Sequence, residues 1–293
     1  MNENSSRPPR RLTRRRLLQG AAAATALGGL GTLGYAWRVE PHWIEVVHRE
    51  LPLRGLSSSL NGSRLVQISD LHLGAQVSED YIIEALDRVG SLNPDIFVIT
   101  GDFVTYDGKP CLDALRRVAP SLARGSRVSI AILGNHDYGH RFDDEKVAAE
   151  IESILKSSGV KVLRNALLQF DGLQIFGLDD LWGSSFEIGP MMKRANPERG
   201  AIALCHNPDG ADRGEWGAFQ GWILCGHTHG GQCSFPLIGT PILPVRNKSY
   251  VSGAIDLGGG RMMSINRGLG HLQRIRFRAR PEITVFTLTE RRA

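Results

Sequence analysis

The sequence predicts an α/β protein: one domain, residues 41–293, behind a leader of residues 1–40. Three observations carry that expectation. Short apolar runs of strand length alternate with amphipathic helical segments through the first half of the chain. The second half is richer in strands, separated by turns such as Asp171-Gly172. Five of the apolar runs stop abruptly at residues with ligating side chains, and the ends of strands are where open α/β sheets place their chemistry. An apolar fraction of 42% and a charged fraction of 22% are ordinary for a globular chain.

Residues 1–40 hold seven arginines (Arg7, Arg10, Arg11, Arg14, Arg15, Arg16, Arg38) against two glutamates (Glu3, Glu40), which accounts for the whole net charge of +5. The remainder carries 28 basic and 28 acidic groups. A neutral body offers no electrostatic footprint for nucleic acid, so no nucleic-acid partner is expected. Thr13-Arg14-Arg15-Arg16-Leu17-Leu18, followed by an Ala/Gly-rich run to about Ala36, resembles a twin-arginine export signal with Arg14 and Arg15 as the pair. Gly34-Tyr35-Ala36 has the small-x-small form of a cleavage site. The leader implies the twin-arginine (Tat) export machinery as a partner. It places the body in the periplasm or on the outer face of the cytoplasmic membrane, with membrane association as a further expectation.

In order, His42 to Leu53 alternates loosely and reads as an edge strand or hairpin arm. Arg64 to Ser69 is a strand running into Asp70-Leu71-His72. Ser78 is a helix N-cap, with Ile82, Ile83, Leu86 and Val89 at helical spacing behind it. Asp95 to Thr100 is an apolar strand ended by Gly101-Asp102, and a helix follows from roughly Cys111 to Leu122. Arg127 to Leu133 is a strand ended by Gly134-Asn135-His136-Asp137, with a helix from about Asp143 to Ser157. Three successive strand–loop–helix units imply largely parallel pairing with right-handed crossovers. Short strands follow at 160–163, 167–170 and 173–178. Ala201 to Cys205 ends at His206, Trp222 to Cys225 ends at Gly226-His227-Thr228-His229, and a last strand covers Ile283 to Leu288. Cys111, Cys205, Cys225 and Cys233 show no CxxC spacing and are expected to be free thiols.

Asp70, Asp102 and Asn135 offer oxygen donors; His72, His206, His227 and His229 offer nitrogen. Mixed N/O donors without thiolate suit Zn²⁺, Mn²⁺ or Fe rather than Mg²⁺ or Ca²⁺. One carboxylate must bridge a pair of ions, and Asp102 is the central candidate.

Asp70-x-His72, Gly101-Asp102, Gly134-Asn135-His136-Asp137, His206 and Gly226-His227-Thr228-His229 resemble the five motifs of the calcineurin-like metallophosphoesterases, in the family's order. The forms Ser69-Asp70-Leu71-His72-Leu73-Gly74 and Cys205-His206-Asn207-Pro208-Asp209 are similar to those of its bacterial exported or membrane-associated branch. The resemblance implies a four-layer fold, two mixed β-sheets packed face to face with helices outside, and two divalent metal ions (Mn, Zn or Fe). Asp70, His72, Asp102 and His229 would hold one ion; Asp102, Asn135, His206 and His227 would hold the other. His136 would stand beside the leaving group as the catalytic residue.

The implied reaction is hydrolysis of phosphodiester or pyrophosphate bonds at the cell envelope, with a hydroxide shared by the two ions attacking phosphorus in line. The substrate is a phosphoester or pyrophosphate, lipid-linked as one variant. Arg267, in the Gly-rich stretch Asn266-Arg267-Gly268-Leu269-Gly270, is a candidate to fork onto a substrate phosphate. Arg274, Arg276, Arg278 and Arg280 alternate and read as the solvated face of a strand. The branch is also similar to UDP-2,3-diacylglucosamine pyrophosphatases of lipid A synthesis, but those act on the cytoplasmic side, whereas the leader points outward. A non-catalytic metal-binding envelope protein is the third reading, and the intact ligand set argues against it.

Overall fold

The computed structural model describes residues 13–106, 108–183 and 185–291. The leader arginines Arg7, Arg10 and Arg11 lie outside the described residues. Two six-stranded mixed sheets face each other. The first holds β1 (Glu45–Leu53), β2 (Arg64–Ile68), β3 (Ile96–Thr100), β4 (Val128–Ile132), β5 (Lys161–Val162) and β12 (Glu282–Glu290). Its order is β1-β12-β2-β3-β4-β5. The second holds β6 (Ala166–Phe170), β7 (Leu173–Gly177), β8 (Ala201–Leu204), β9 (Gly221–Cys225), β10 (Gly253–Gly258) and β11 (Arg261–Ile265), in the order β10-β11-β9-β8-β7-β6.

The strands β2 to β5 pair in parallel, as the strand–helix alternation requires. The helices α2 (Glu79–Ser91), α3 (Lys109–Val118) and α4 (Glu145–Ser157) cross over between them. The Ser78 hydroxyl caps α2 by accepting from the Tyr81 N–H at 3.4 Å. Asp144 caps α4 by accepting from Lys146 and Val147, so that helix begins after Asp144 and not at Asp143. Pro110 opens α3 ahead of Cys111, and a 3₁₀ turn at Ala119–Ser121 closes it. The last strand, β12, inserts between β1 and β2, parallel to the first and antiparallel to the second.

Three apolar clusters hold the layers. Between the sheets, Leu65, Ile96, Val98 and Ile130 of the first meet Ile175, Ile202, Leu204 and Leu224 of the second. The outer face of the first sheet packs on Ile82, Leu86, Leu115, Ile151 and Leu155 from the helices. The outer face of the second packs on Ile188 and Met191, flanking and within α5 (Gly189–Met192), and on Trp216 and Phe219. The result is the four-layer arrangement expected from the sequence. Cys205 and Cys225 are buried free thiols, Cys111 is buried, and Cys233 is half-buried.

The leader forms α1 (Arg14–Arg38), exposed along nearly its whole length. Among the described residues no helix is long and apolar enough to cross a membrane. Its end is docked on the body: the Ala36 carbonyl accepts from the Arg276 N–H at 2.9 Å, and buried Glu40 accepts from the Ala279 N–H at 2.7 Å. The segment holding Arg274, Arg276, Arg278 and Arg280 is not the solvated strand face its alternation suggested. Arg276 is fully buried and Arg278 adopts a left-handed φ of 57°. The Arg276 guanidinium satisfies loop carbonyls in place of strand pairing, as described below.

The inter-sheet cluster sets the stability of the whole. Leu224→Ala should lower the unfolding free energy by about 3 kcal/mol, read from urea denaturation. A loss under about 1 kcal/mol would mean that the two sheets close over the cavity.

Candidate metal centre

The C-terminal ends of β2, β3, β4, β8 and β9 meet at one edge of the sandwich, and each delivers its motif there. Asp70, His72, Asp102, Asn135, His206, His227 and His229 are all buried. Asp70, His72 and His229 form one group whose donor atoms lie within 4.8 Å of one another; Asp102, His206 and His227 form a second, and Asp102 also joins His72 and His136 in a third.

The local backbone that achieves this is strained. Asp70, His72, Asp102, His227 and His229 all sit at left-handed φ between 50° and 71°. Asp, Asn and His tolerate that region best among residues with a side chain, yet each still carries a cost. Five such residues in one place are a mark of function rather than of folding convenience. The turn after β3 also needs glycine as its neighbour: a Cβ on Gly134 would lie 2.3 Å from Asp102 Oδ1.

Hydrogen bonds fix which ring nitrogen each histidine offers. His206 Nδ1 donates to the Thr100 carbonyl at 2.7 Å, which leaves Nε2 facing Asp102 Oδ2 at 3.2 Å. His227 Nε2 donates to the Pro244 carbonyl at 3.0 Å, leaving Nδ1 toward the centre, 3.3 Å from His206 Nε2. His72 Nδ1 is bonded to Thr105 Oγ1 at 2.9 Å, and its Nε2 lies 3.0 Å from His229 Nε2. Asp70 accepts from the His227 N–H with both oxygens at 3.0 Å, and Asp102 Oδ1 accepts from the His136 N–H at 2.9 Å.

The electrostatics favour neutral imidazoles. Burial pushes His72 and His227 down to about 3. Burial, then His72 and Arg276, hold His229 well below the usual range. His206 differs: burial opposes its charge, but the Asp102 carboxylate wins and raises it well above. Burial and the Asp102 charge lift Asp70 to about 6, against the pull of His206. Two nitrogens at 3.0 Å and buried carboxylates held together are an arrangement that a cation relieves. Asn135 makes the same point, since both its side-chain Oδ1 and Nδ2 are buried without a partner. This donor set therefore fits divalent metal ions, with Asp102 common to two of the three groups.

His136 is half-buried at the mouth, edge-on to His72 with centroids 5.0 Å apart and to Phe142 at 5.1 Å. Asp102, Asn135, His136, His227 and His229 line a cleft of about 470 Å³ with Phe142, Trp182, Ile242, Leu272 and Ile275. Arg267 is not brought to this cleft. Its Nε donates to Glu282 at 2.5 Å and its Nη2 to Glu45 at 2.7 Å, so the guanidinium is already held by two carboxylates.

Three further groups stand at the centre. Asp180 is buried with Oδ1 unpartnered, and His206 and Asp102 act on it electrostatically. Trp182 stands edge-on to His227 at 4.8 Å. Arg276 donates from Nη2 to the carbonyls of Arg267 (3.0 Å), Gly268 (3.2 Å) and Gly270 (2.5 Å), with His229 Nδ1 at 3.4 Å. Arg276 follows no apolar run with a ligand motif, whereas Asp180 stands just after the strand at 173–178, and that position was the one local signal. Arg276 clamps the 267–270 loop onto Asp70, and the fit is tight: a Cβ on Gly268, at φ 68°, would lie 2.7 Å from Asp70 Cβ.

The calcineurin-like phosphoesterase family model matches residues 63–231. The chain is 32% identical to phosphodiesterase YaeI of Escherichia coli over 287 residues, covering 94% of this chain and 99% of the relative. It is 32% identical to the uncharacterized metallophosphoesterase YkuE of Bacillus subtilis, covering 95% and 98%. It is 28% identical to UDP-2,3-diacylglucosamine pyrophosphatase LpxG of Chlamydia trachomatis, covering 89% and 95%.

Gly268→Ala combines a forbidden contact with an unfavourable φ. It should lower stability by about 2 kcal/mol or more in urea denaturation. Wild-type stability would show that the loop is not pinned against Asp70.

Proposed function

The chain belongs to the calcineurin-like phosphoesterase family and is a metal-dependent phosphoester hydrolase, and from that premise we propose that it cleaves phosphodiester or pyrophosphate bonds at the cell envelope with two divalent ions. In this reading Asp70, His72, Asp102 and His229 hold one ion, and Asp102, Asn135, His206 and His227 hold the other. The single observation that carries it is the convergence of two mixed N/O donor groups on the shared carboxylate of Asp102.

When bound, such a pair supplies Lewis acidity for phosphoryl oxygens and a nucleophile drawn from water at neutral pH. The residues do the rest. Neutral His72, His227 and His229 present lone pairs without a proton to expel. The Thr100 and Pro244 carbonyls hold His206 and His227 in their tautomers. His136 reaches the cleft from a backbone fixed by Asp102, in position to give a proton to the departing oxygen or to steady charge on the phosphoryl group. Phe142 and Trp182 wall the cleft beside it.

The apolar lining of the cleft favours one variant of this reading, in which the bond cleaved belongs to a lipid-linked phosphoester or pyrophosphate. The relative LpxG is a pyrophosphatase of an acylated sugar nucleotide. The outward location rests on the twin-arginine pattern at Arg14 and Arg15.

Purified protein stripped by a chelator should lose hydrolysis of a chromogenic phosphodiester and regain it with Mn²⁺ or Zn²⁺. Asp102→Ala should not regain it. His136→Ala should keep its metal content by elemental analysis while kcat falls about 10²–10⁴-fold. Full activity in stripped protein would end the two-ion reading. For the location, Arg14→Lys with Arg15→Lys should move the protein from the envelope to the cytoplasmic fraction; an unchanged distribution would refute export by this route.

A further inference from the structure

The mouth of the cleft has an unusual rim. Phe235 and Gly239 exchange backbone hydrogen bonds of 2.8 and 2.9 Å, closing a tight turn with Leu237 and Ile238 at its tip. Leu237 is fully exposed and sits at φ 70°, a region that disfavours leucine. Ile238 is 75% exposed, and Ile242, which lines the cleft, is 80% exposed. Both the strain and the exposure destabilise the protein alone in water, and neither serves a core.

The other side of the rim is the segment around Arg276. The Phe277 carbonyl accepts from the Ser234 N–H at 2.8 Å, so this segment and the turn are one continuous surface. Leu272 is partly exposed on it. Arg274 and Arg38 lie over the Trp37 ring at 6.0 and 5.1 Å, and Arg280 lies over Trp43 at 4.2 Å. Both tryptophans are half-exposed. Through the Ala36–Arg276 hydrogen bond, α1 with its exposed leucines leaves from the same place. Among the described residues, every exposed large apolar side chain except Val46 and the cleft wall Trp182 belongs to α1, to its junction with the body, or to this rim. Tryptophan interleaved with arginine beside projecting aliphatic side chains is the composition of a bilayer–water boundary, and the positive charge selects anionic lipid.

We propose that the rim of the metal cleft, with Leu237 and Ile238 at its tip, docks on an anionic lipid bilayer, so that an amphiphilic phosphoester enters headgroup first while its chains remain in the bilayer. The part concerning substrate rests on the hydrolase reading above; the part concerning docking does not.

The test uses the full chain loaded with Mn²⁺ and floated with vesicles of phosphatidylglycerol and phosphatidylcholine in equal parts, or of phosphatidylcholine alone. The wild type should bind the anionic vesicles. Leu237→Glu with Ile238→Glu should lower the bound-to-free ratio about tenfold or more, with hydrolysis of a short soluble diester unchanged. Leu237→Gly relieves the left-handed strain, so it should melt at a higher temperature while binding vesicles more weakly. Undiminished binding by either variant overturns the docking surface, and so does equal binding to both vesicle types. If no variant and no wild type cleaves the soluble diester, the hydrolase reading fails, and the vesicle comparison still decides the docking.

Discussion

The carboxylate of Asp102 is the point on which the two sheets agree. It comes from the first sheet, yet His206 from the second stands 3.2 Å from its Oδ2 while His72 stands 3.6 Å away on its own side. Its other oxygen holds the His136 backbone. For one small side chain to serve three strands, the sheets must meet at a fixed separation, which the apolar cluster between them sets. The neighbouring backbone must also approach without a Cβ at Gly134. Packing far from the cleft and geometry inside it are thus one constraint, since interiors packed at crystal-like density transmit displacements.

A buried cation supports the same centre from behind. Among the described residues Arg276 has no carboxylate partner; its charge is spread over loop carbonyls, and burial brings it down to about 10. Hydrogen bonds from a guanidinium are stronger than neutral ones, so this single side chain orders a loop that has no regular structure. The loop then closes against Asp70, with the Leu269 and Gly270 N–H groups donating to the Ser69 and Asp70 carbonyls at 2.9 and 2.7 Å.

Much of this was legible in the chain. The alternation of Val66, Ile68, Val98, Ile99 and Ile130 with capped helices determines parallel pairing, and the five motifs follow the strands that bring them together. What stayed hidden was non-local. Arg267 in its Gly-rich stretch has the local signature of an anion-binding arginine, but Glu45 and Glu282 lie 222 and 15 residues away and neutralise it. The Arg274–Arg280 alternation has the period of a strand; tertiary demand for a donor beneath the 267–270 loop overrode it. Asp180 ends the apolar strand at 173–178 as Asp102 ends its own, and only Trp182 reaches the centre from a loop with no signal. Periodicity reports which face is buried, and it is silent about which distant group a buried polar atom will meet.

The place of β12 carries a temporal consequence. The strand made last lies between β1 and β2, which are made among the first. Until residues 282–290 exist, β1 has no partner in the sheet, Arg267 lacks Glu282, and Asn266 lacks the Thr284 hydroxyl that its side chain bonds at 2.8 Å. The loop against Asp70 therefore cannot set until residues 282–290 are free to pair. Contacts of such sequence separation form late, so the nascent polypeptide carries every ligand and no finished site. The ligating residues are therefore made before the strand that fixes the loop beside them.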